Sequence, residues 1–123
     1  MAKAKVSVAH CPGSNLKLAS GIADIHSYQD SGVMVSLGTD GCSSSNDLDM
    51  WSVMRLAALL ISQTQGPEQL SNRQIFRMAT IQGAQSLGMD SLIGSIEIGK
   101  AADLIAIDLN APHLIPIHDI YAQ

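Results

Sequence analysis

Residues 35–51, VSLGTDGCSSSNDLDMW, place a carboxylate, Asp40, at the end of an apolar run, followed by three serines and the start of a helix-like pattern. A strand-end Asp bounded by Gly has two chemical readings. It accepts backbone N–H groups in a tight turn, or it offers an oxygen donor to a metal ion. The local pattern alone leaves both open. The other reactive side chains add little to either. His10 and Cys11 are neighbours on a strand-like segment, so regular β geometry sends them to opposite faces and not into one pocket. Ser43, Ser44 and Ser45 lack the G-x-S-x-G elbow of a nucleophilic serine, and two of the three read as capping and loop residues. The acidic spacing over residues 40–49 does not follow the D-x-[DN]-x-[DN]-G pattern of a calcium loop.

The remaining candidate ligands are scattered. Four histidines, His10, His26, His113 and His118, form no HxH pair, and two cysteines, Cys11 and Cys42, form no CxxC. A catalytic zinc requires about three protein ligands and a water. The chain on its own is therefore expected to bind no metal. A disulfide framework is not indicated, and a reducing, cytoplasmic setting is the expectation.

The elements that must position Asp40 alternate between strand and helix. VSVAH (6–10) reads as a strand that CPGSN then breaks. IADIHSYQDSG (22–32) reads as a short helix with Ile22, Ile25 and Tyr28 on one face and Gly32 as its left-handed stop. VMVSLG (33–38) is a second strand, apolar on both faces, as in a covered parallel sheet. A helix is expected over Asp47–Ser62, capped by Asn46 and ended by Gly66-Pro67. Its apolar residues run most of the way round, so it needs neighbours on most sides. SNRQIFRMATIQGAQSLG (71–88) carries a capping box, Ser71 with Gln74, and an apolar stripe of Ile75, Met78, Ala79 and Leu87. Residues 94–109 read as two short β segments about a Gly99-Lys100 turn, and the tail beyond is punctuated by Pro. Lys17 and Lys100 read as solvated surface, and Met50, Met54 and Met78 as core filler.

Bulk properties narrow the class. The chain has 123 residues, a formal charge of -4, and only one Trp, one Phe and two Tyr, so its core rests on aliphatic side chains and Met. That length suits one ordinary domain. With no basic run, nucleic acid is excluded as an expected partner. No segment approaches the roughly 18 apolar residues of a membrane span, and the first residues lack a signal-peptide apolar region, so no membrane partner is expected. The strand–helix alternation reads as α/β.

Two motifs together carry a resemblance. AHCPGSNLKLASGIA (9–23) and VSLGTDGCSSSNDLDMWSVMRLAALL (35–60) resemble the seventh and eighth strand–loop–helix units of the amidohydrolase superfamily. The nearest branch is the one that contains methylthioadenosine/S-adenosylhomocysteine deaminase, guanine deaminase and triazine hydrolases. GSIEIGKAADLIAIDLNAPHLIP (94–116) is similar to that family's return from its barrel into a small β-sandwich. The resemblance implies the last two βα units of a (β/α)8 TIM barrel over residues 1–92 and the start of the C-terminal β-sandwich over residues 93–123, with the site at the C-terminal ends of the strands. It implies a metal-dependent hydrolase that deaminates an amino-purine or related heterocycle, using one zinc or iron ion in the complete enzyme. By the resemblance Asp40 is a metal ligand and the catalytic proton carrier, and Ser44 and His10 are substrate-binding candidates. One departure is Asp24, where the family usually has Pro. The family's HxH is absent, so the chain reads as a piece of such an enzyme, completed by other polypeptide. The alternative is a non-enzymatic fragment that covers its apolar faces as a homo-oligomer, by element swapping or with a complementing chain.

Overall fold

The computed structural model describes residues 1–121; the last two residues of the tail, 122 and 123, lie outside the described residues. Its centre is a two-stranded parallel sheet, β1 (Ser7–His10) beside β2 (Met34–Leu37), with Ser7 opposite Met34 and His10 opposite Leu37. Both strands fall within the segments expected from their apolar runs. The crossover between them carries α1 (Pro12–Lys17) and α2 (Ile25–Asp30). The pairing is parallel because this crossover returns the chain to the same end of the sheet.

Several local expectations hold. α2 forms within the segment expected to be helical, but it starts later: Asp24 caps it by accepting the Ser27 N–H at 3.1 Å, so Ile22, expected on the same face as Ile25 and Tyr28, lies outside the helix and is about half exposed. Gly32, with φ +73°, follows the end of α2 in the left-handed region that glycine enters without a Cβ penalty. Ser71 and Gln74 form the reciprocal capping box at the start of α5 (Asn72–Ala79).

Other expectations are corrected. CPGSN ends β1 as expected, and it also begins a helix that was not expected: Pro12 opens α1, where its missing N–H is not needed. Asn46 does not cap the long helix. It ends α3 (Cys42–Ser45), and α4 runs from Met50 to Gln65 with Asp49 as its cap, accepting the Trp51 N–H at 2.9 Å and the Ser52 N–H at 3.3 Å. The single helix expected over 71–88 is two, α5 and α6 (Ile81–Ser86), because Thr80 leaves helical geometry at φ −121°, ψ −100°. Leu87, placed in the apolar stripe, lies outside α6 and is exposed.

The hairpin expected over 94–109 forms its turn but not its ladder. The Lys100 N–H bonds to the Glu97 carbonyl at 3.2 Å, yet no strand is assigned beyond β2 among the described residues, and residues 101–110 are exposed throughout. An extended segment becomes a strand only when a neighbour supplies a row of hydrogen-bonding partners. Here the Ala101 N–H finds one, the Leu92 carbonyl, at 2.8 Å. Lys100, read as solvated, is instead largely covered and bonds to Ser95 and Glu97 within the turn.

The core joins the sheet to three helices. Val35 and Leu37 from β2 pack with Ile25 from α2, with Val53, Ala57 and Ile61 from α4, with Leu70, and with Ile75 and Met78 from α5. The buried residues of α4 recur at every fourth position, so one narrow stripe faces inward. Trp51 and Leu59 on the same helix are about half exposed, in keeping with a helix whose sequence is apolar on most sides. Gln65, the last residue of α4, ties it to α2 by accepting the His26 N–H at 3.0 Å and donating to the Ala23 carbonyl at 3.4 Å.

Candidate functional site

The candidate site sits where β1 and β2 both end. Parallel strands bring their C-terminal ends to one rim, so the loops that leave them are neighbours regardless of their separation in sequence. The Gly38 N–H bonds to the His10 carbonyl at 3.0 Å, extending the pairing to that rim. Two residues later the chain turns sharply at Asp40, which has φ +60°. Asp tolerates this left-handed conformation better than most residues because its short side chain bonds locally. The carboxylate does so here, accepting the Gly41 N–H on Oδ1 at 2.7 Å.

The other oxygen of Asp40 is held from the β1 side. Ser14, buried on α1, donates its hydroxyl to Asp40 Oδ2 at 2.5 Å. Ser44 lies within α3, its hydroxyl 3.0 Å from the Gly41 carbonyl and within reach of the same carboxylate. The Ser14 hydroxyl, then the Gly41 N–H, then Ser44 hold the Asp40 carboxyl below its ordinary range. Hydrogen bonds to the charged form favour ionisation, so Asp40 is a carboxylate at neutral pH. Both original readings of this residue meet: it is a turn residue that accepts backbone N–H, and it remains an exposed carboxylate at the C-terminal rim of a parallel sheet.

His10 occupies the same rim but a different environment. It ends β1 opposite Leu37, is only 3 % exposed, and its Nδ1 has no partner among the described residues. Burial pushes its pKa down, keeping the ring neutral. No hydrogen bond joins His10 to Asp40 or Ser44. The structure thus brings Asp40 and Ser44 together and leaves His10 beside them. His26 lies on α2, where it pairs with Asp30 at 3.3 Å, and His113 lies in the tail. Cys11 and Cys42 are free thiols. Burial and the nearby Asp40 charge raise the Cys11 pKa, which makes it a poor nucleophile.

Sequence reasoning missed two participants. Ser14 was not singled out, and Lys17 was read as solvated surface. Lys17 Nζ instead donates to the Ser43 carbonyl at 2.9 Å and to Asn46 Oδ1 at 2.5 Å. The spacing of three between Ser14 and Lys17 on α1 was the available signal, since residues three apart share a helix face.

As for a metal, among the described residues no group of three or more His, Cys, Asp or Glu side chains comes together to hold one. Asp40 fits the role of one oxygen donor. An ionised carboxylate has about four lone-pair sites, of which Ser14 and Gly41 occupy two and Ser44 is within reach of a third. A lone donor does not make a binding site, because affinity comes from several ligands closing together.

A parallel strand pair with an oriented carboxylate at its C-terminal rim defines the class of α/β proteins that place chemistry on the loops following their strands. Within that class the sequence is specific: the amidohydrolase family profile matches residues 1–122, and the chain belongs to that family. It is 50% identical, over its whole length, to a 5-methylthioadenosine/S-adenosylhomocysteine deaminase of Moorella thermoacetica, of which it covers 29%. The structure of an adenosine deaminase from Xanthomonas campestris with bound zinc superposes with a TM-score of 0.90 at 47% identity, covering 96% of this chain and 27% of that one. An atrazine chlorohydrolase from Arthrobacter aurescens, complexed with zinc, gives a TM-score of 0.88 at 35% identity over 98% of this chain and 27% of that one. The chain therefore spans somewhat over a quarter of the length of the relatives it matches. The resemblance carried by the three motifs is the true relationship.

Proposed function

We propose that this chain is the part of a hydrolytic deaminase that supplies Asp40, acting on an adenosine-type nucleoside or related amino-heterocycle. The observation that carries the reading is the Asp40 carboxylate, ionised and held in a fixed direction at the strand rim of an amidohydrolase-family chain. Family likeness supports the barrel units over 1–92 and the small β-sandwich over 93–123, and the two cysteines, without a disulfide framework, support a reducing, cytoplasmic setting. No helix among the described residues is long and apolar enough to cross a membrane.

In this reaction water adds to the carbon bearing the amino group, the C–N bond breaks, and ammonia leaves. Asp40 accepts a proton from the attacking water and passes it to the departing nitrogen. A divalent metal, zinc or iron, held by Asp40 together with ligands from the rest of the enzyme, would supply water of lowered pKa at neutral pH. Ser14 and Gly41 do not exhaust the lone pairs of Asp40, which leaves room for a metal ion and a proton in turn. Ser44, one helical turn beyond, is placed to contact the substrate. His10, expected from the family likeness as a further substrate contact, is enclosed at the same rim with its Nδ1 out of solvent, so it would meet a substrate only if the rest of the enzyme changed the cover over its ring.

In the complete enzyme, Asp40→Asn is expected to abolish ammonia release from adenosine-type nucleosides and to reduce bound zinc below one equivalent. An Asp40→Asn enzyme with full activity and full metal content refutes the reading.

A second reading concerns partners. Leu48, Trp51 and Leu59 are about half exposed or more on or beside one helix, and Ile96 and Ile98 are almost fully exposed. Apolar surface of this extent favours cover by further polypeptide, as a homo-oligomer or a complementing chain. A monomeric elution volume across a wide concentration range would argue against it.

A further inference from the structure

The long-range contacts to the Asp40 loop come from one short helix. Ser14 and Lys17 lie three residues apart on α1, and each reaches across to the loop after β2, 26 residues away and more. Ser14 bonds to Asp40, where the loop turns, and Lys17 to its far end, at Ser43 and Asn46. Ser14 is 4 % exposed, so its hydroxyl has little water to compete for its proton. The two segments also approach closely beneath these bonds: a Cβ added to Gly38 would lie 3.1 Å from Cys11 Sγ. The loop is thus pinned at both ends and pressed against the start of α1.

We propose that Ser14 and Lys17 are positioning residues for the deamination. Ser14 sets the direction of the Asp40 carboxylate, and Lys17 holds the turn that carries Ser44. This assignment rests on the function proposed above. A carboxylate with no partner on Oδ2 swings about its side-chain torsions, and groups that orient a ligating or proton-carrying side chain are worth roughly 10- to 100-fold in metal affinity or activity. Lys17 touches neither Asp40 nor the space in front of it, so its influence passes through Ser44 to substrate binding.

The test uses the complete enzyme and separates the two roles. Ser14→Ala removes the donor and almost no volume. It is expected to lower kcat by roughly 10- to 100-fold, to leave KM within about threefold, and to speed zinc loss to a chelator, with an unchanged Tm. Ser14→Thr, which keeps the hydroxyl, is expected to restore zinc retention. Lys17→Met is expected to raise KM by about tenfold with kcat within about threefold, and Lys17→Arg to recover most of that change. Wild-type kcat and zinc retention in Ser14→Ala overturn the assignment for Ser14; a Tm drop with parallel loss of kcat and KM does the same, since it marks a packing role only. Wild-type KM in Lys17→Met overturns the assignment for Lys17. Asp40→Asn serves as the reference: if it stays active, the deaminase reading fails, whereas an inactive Asp40→Asn beside a wild-type Ser14→Ala defeats the positioning role alone.

Discussion

Gly94 and Ala84 are in contact so close that no side chain fits between them: a Cβ on Gly94 would lie 2.7 Å from Ala84 Cβ and 3.0 Å from Ile81 Cα. Gly94 also has φ +92°, a conformation that L side chains rarely adopt. Here the chain leaves α6 and passes beneath it. Gly94→Ala combines backbone strain with overpacking against a helix backbone that cannot retreat. It is expected to cost on the order of 2–4 kcal/mol, read as a lower urea midpoint at unchanged m-value.

Met78 is fully buried at the centre of the cluster formed by Ile25, Val35 and Ile75. Met78→Ala is expected to destabilise the fold by about 2–5 kcal/mol through lost contacts and the cavity left behind. Met78→Leu, which nearly conserves volume, is expected to cost less than about 1.5 kcal/mol. Equal losses in the two variants, measured by denaturant unfolding, would contradict the packing described.

The capping box at Ser71 joins two hydrogen bonds at the exposed start of α5, from the Gln74 N–H to Ser71 Oγ at 3.3 Å and from the Ser71 N–H to Gln74 Oε1 at 2.8 Å. Ser71→Ala is expected to cost about 1 kcal/mol and Ser71→Asp much less, because Asp retains an acceptor at the cap. Circular dichroism during thermal unfolding distinguishes them.

Burial lowers the pKa of His10 below its ordinary value of 6.5. As pH falls through that value, the unfolded chain takes up a proton that the folded chain refuses. Stability is therefore full above about pH 6.5 and declines as pH falls toward the folded pKa. His10→Gln, which stays neutral, is expected to flatten this slope between roughly pH 7.5 and 5.5. The carboxyls of Asp24 and Asp49 act lower on the scale. Their own cap hydrogen bonds, led by the Ser27 and Ser52 hydroxyls, hold their pKa values below 3.8, so their stabilisation persists until pH falls beneath that value. A His10→Gln protein whose urea midpoint falls as steeply as the wild type over the upper window would exclude His10 as the cause.

Much of the scaffold was legible in the sequence because it depends on near neighbours. The apolar runs ending in His10 and Leu37 announced covered parallel strands, and Ser71 with Gln74 announced a helix start, since the residues that make those bonds are three apart. Helix limits failed where equivalent residues competed. Asn46 and Asp49 are both good caps, and only the left-handed turn at Asn46, φ +77°, decided that it would end α3 and leave α4 to Asp49. The break at Thr80 carries no Gly or Pro to announce it. The hairpin over 94–109 failed for another reason: strands need partners that local sequence does not reveal. Asp40 and Ser44 were found through motif likeness, whereas Ser14 and Lys17 were missed because their partners lie at least 26 residues away and become visible only once the strand register is known.

The loop that carries Ser44 is framed by two left-handed residues, Asp40 and Asn46, neither of them glycine. Framing of this kind fixes the angles at which the chain departs and arrives, whatever lies between. The path of residues 42–45 is thereby set by backbone angles at its two ends as well as by the hydroxyls within it. Replacing Asp40 or Asn46 by a β-branched residue would redirect the whole turn, whereas a change at exposed Ser43, whose carbonyl alone meets Lys17, would leave its course intact.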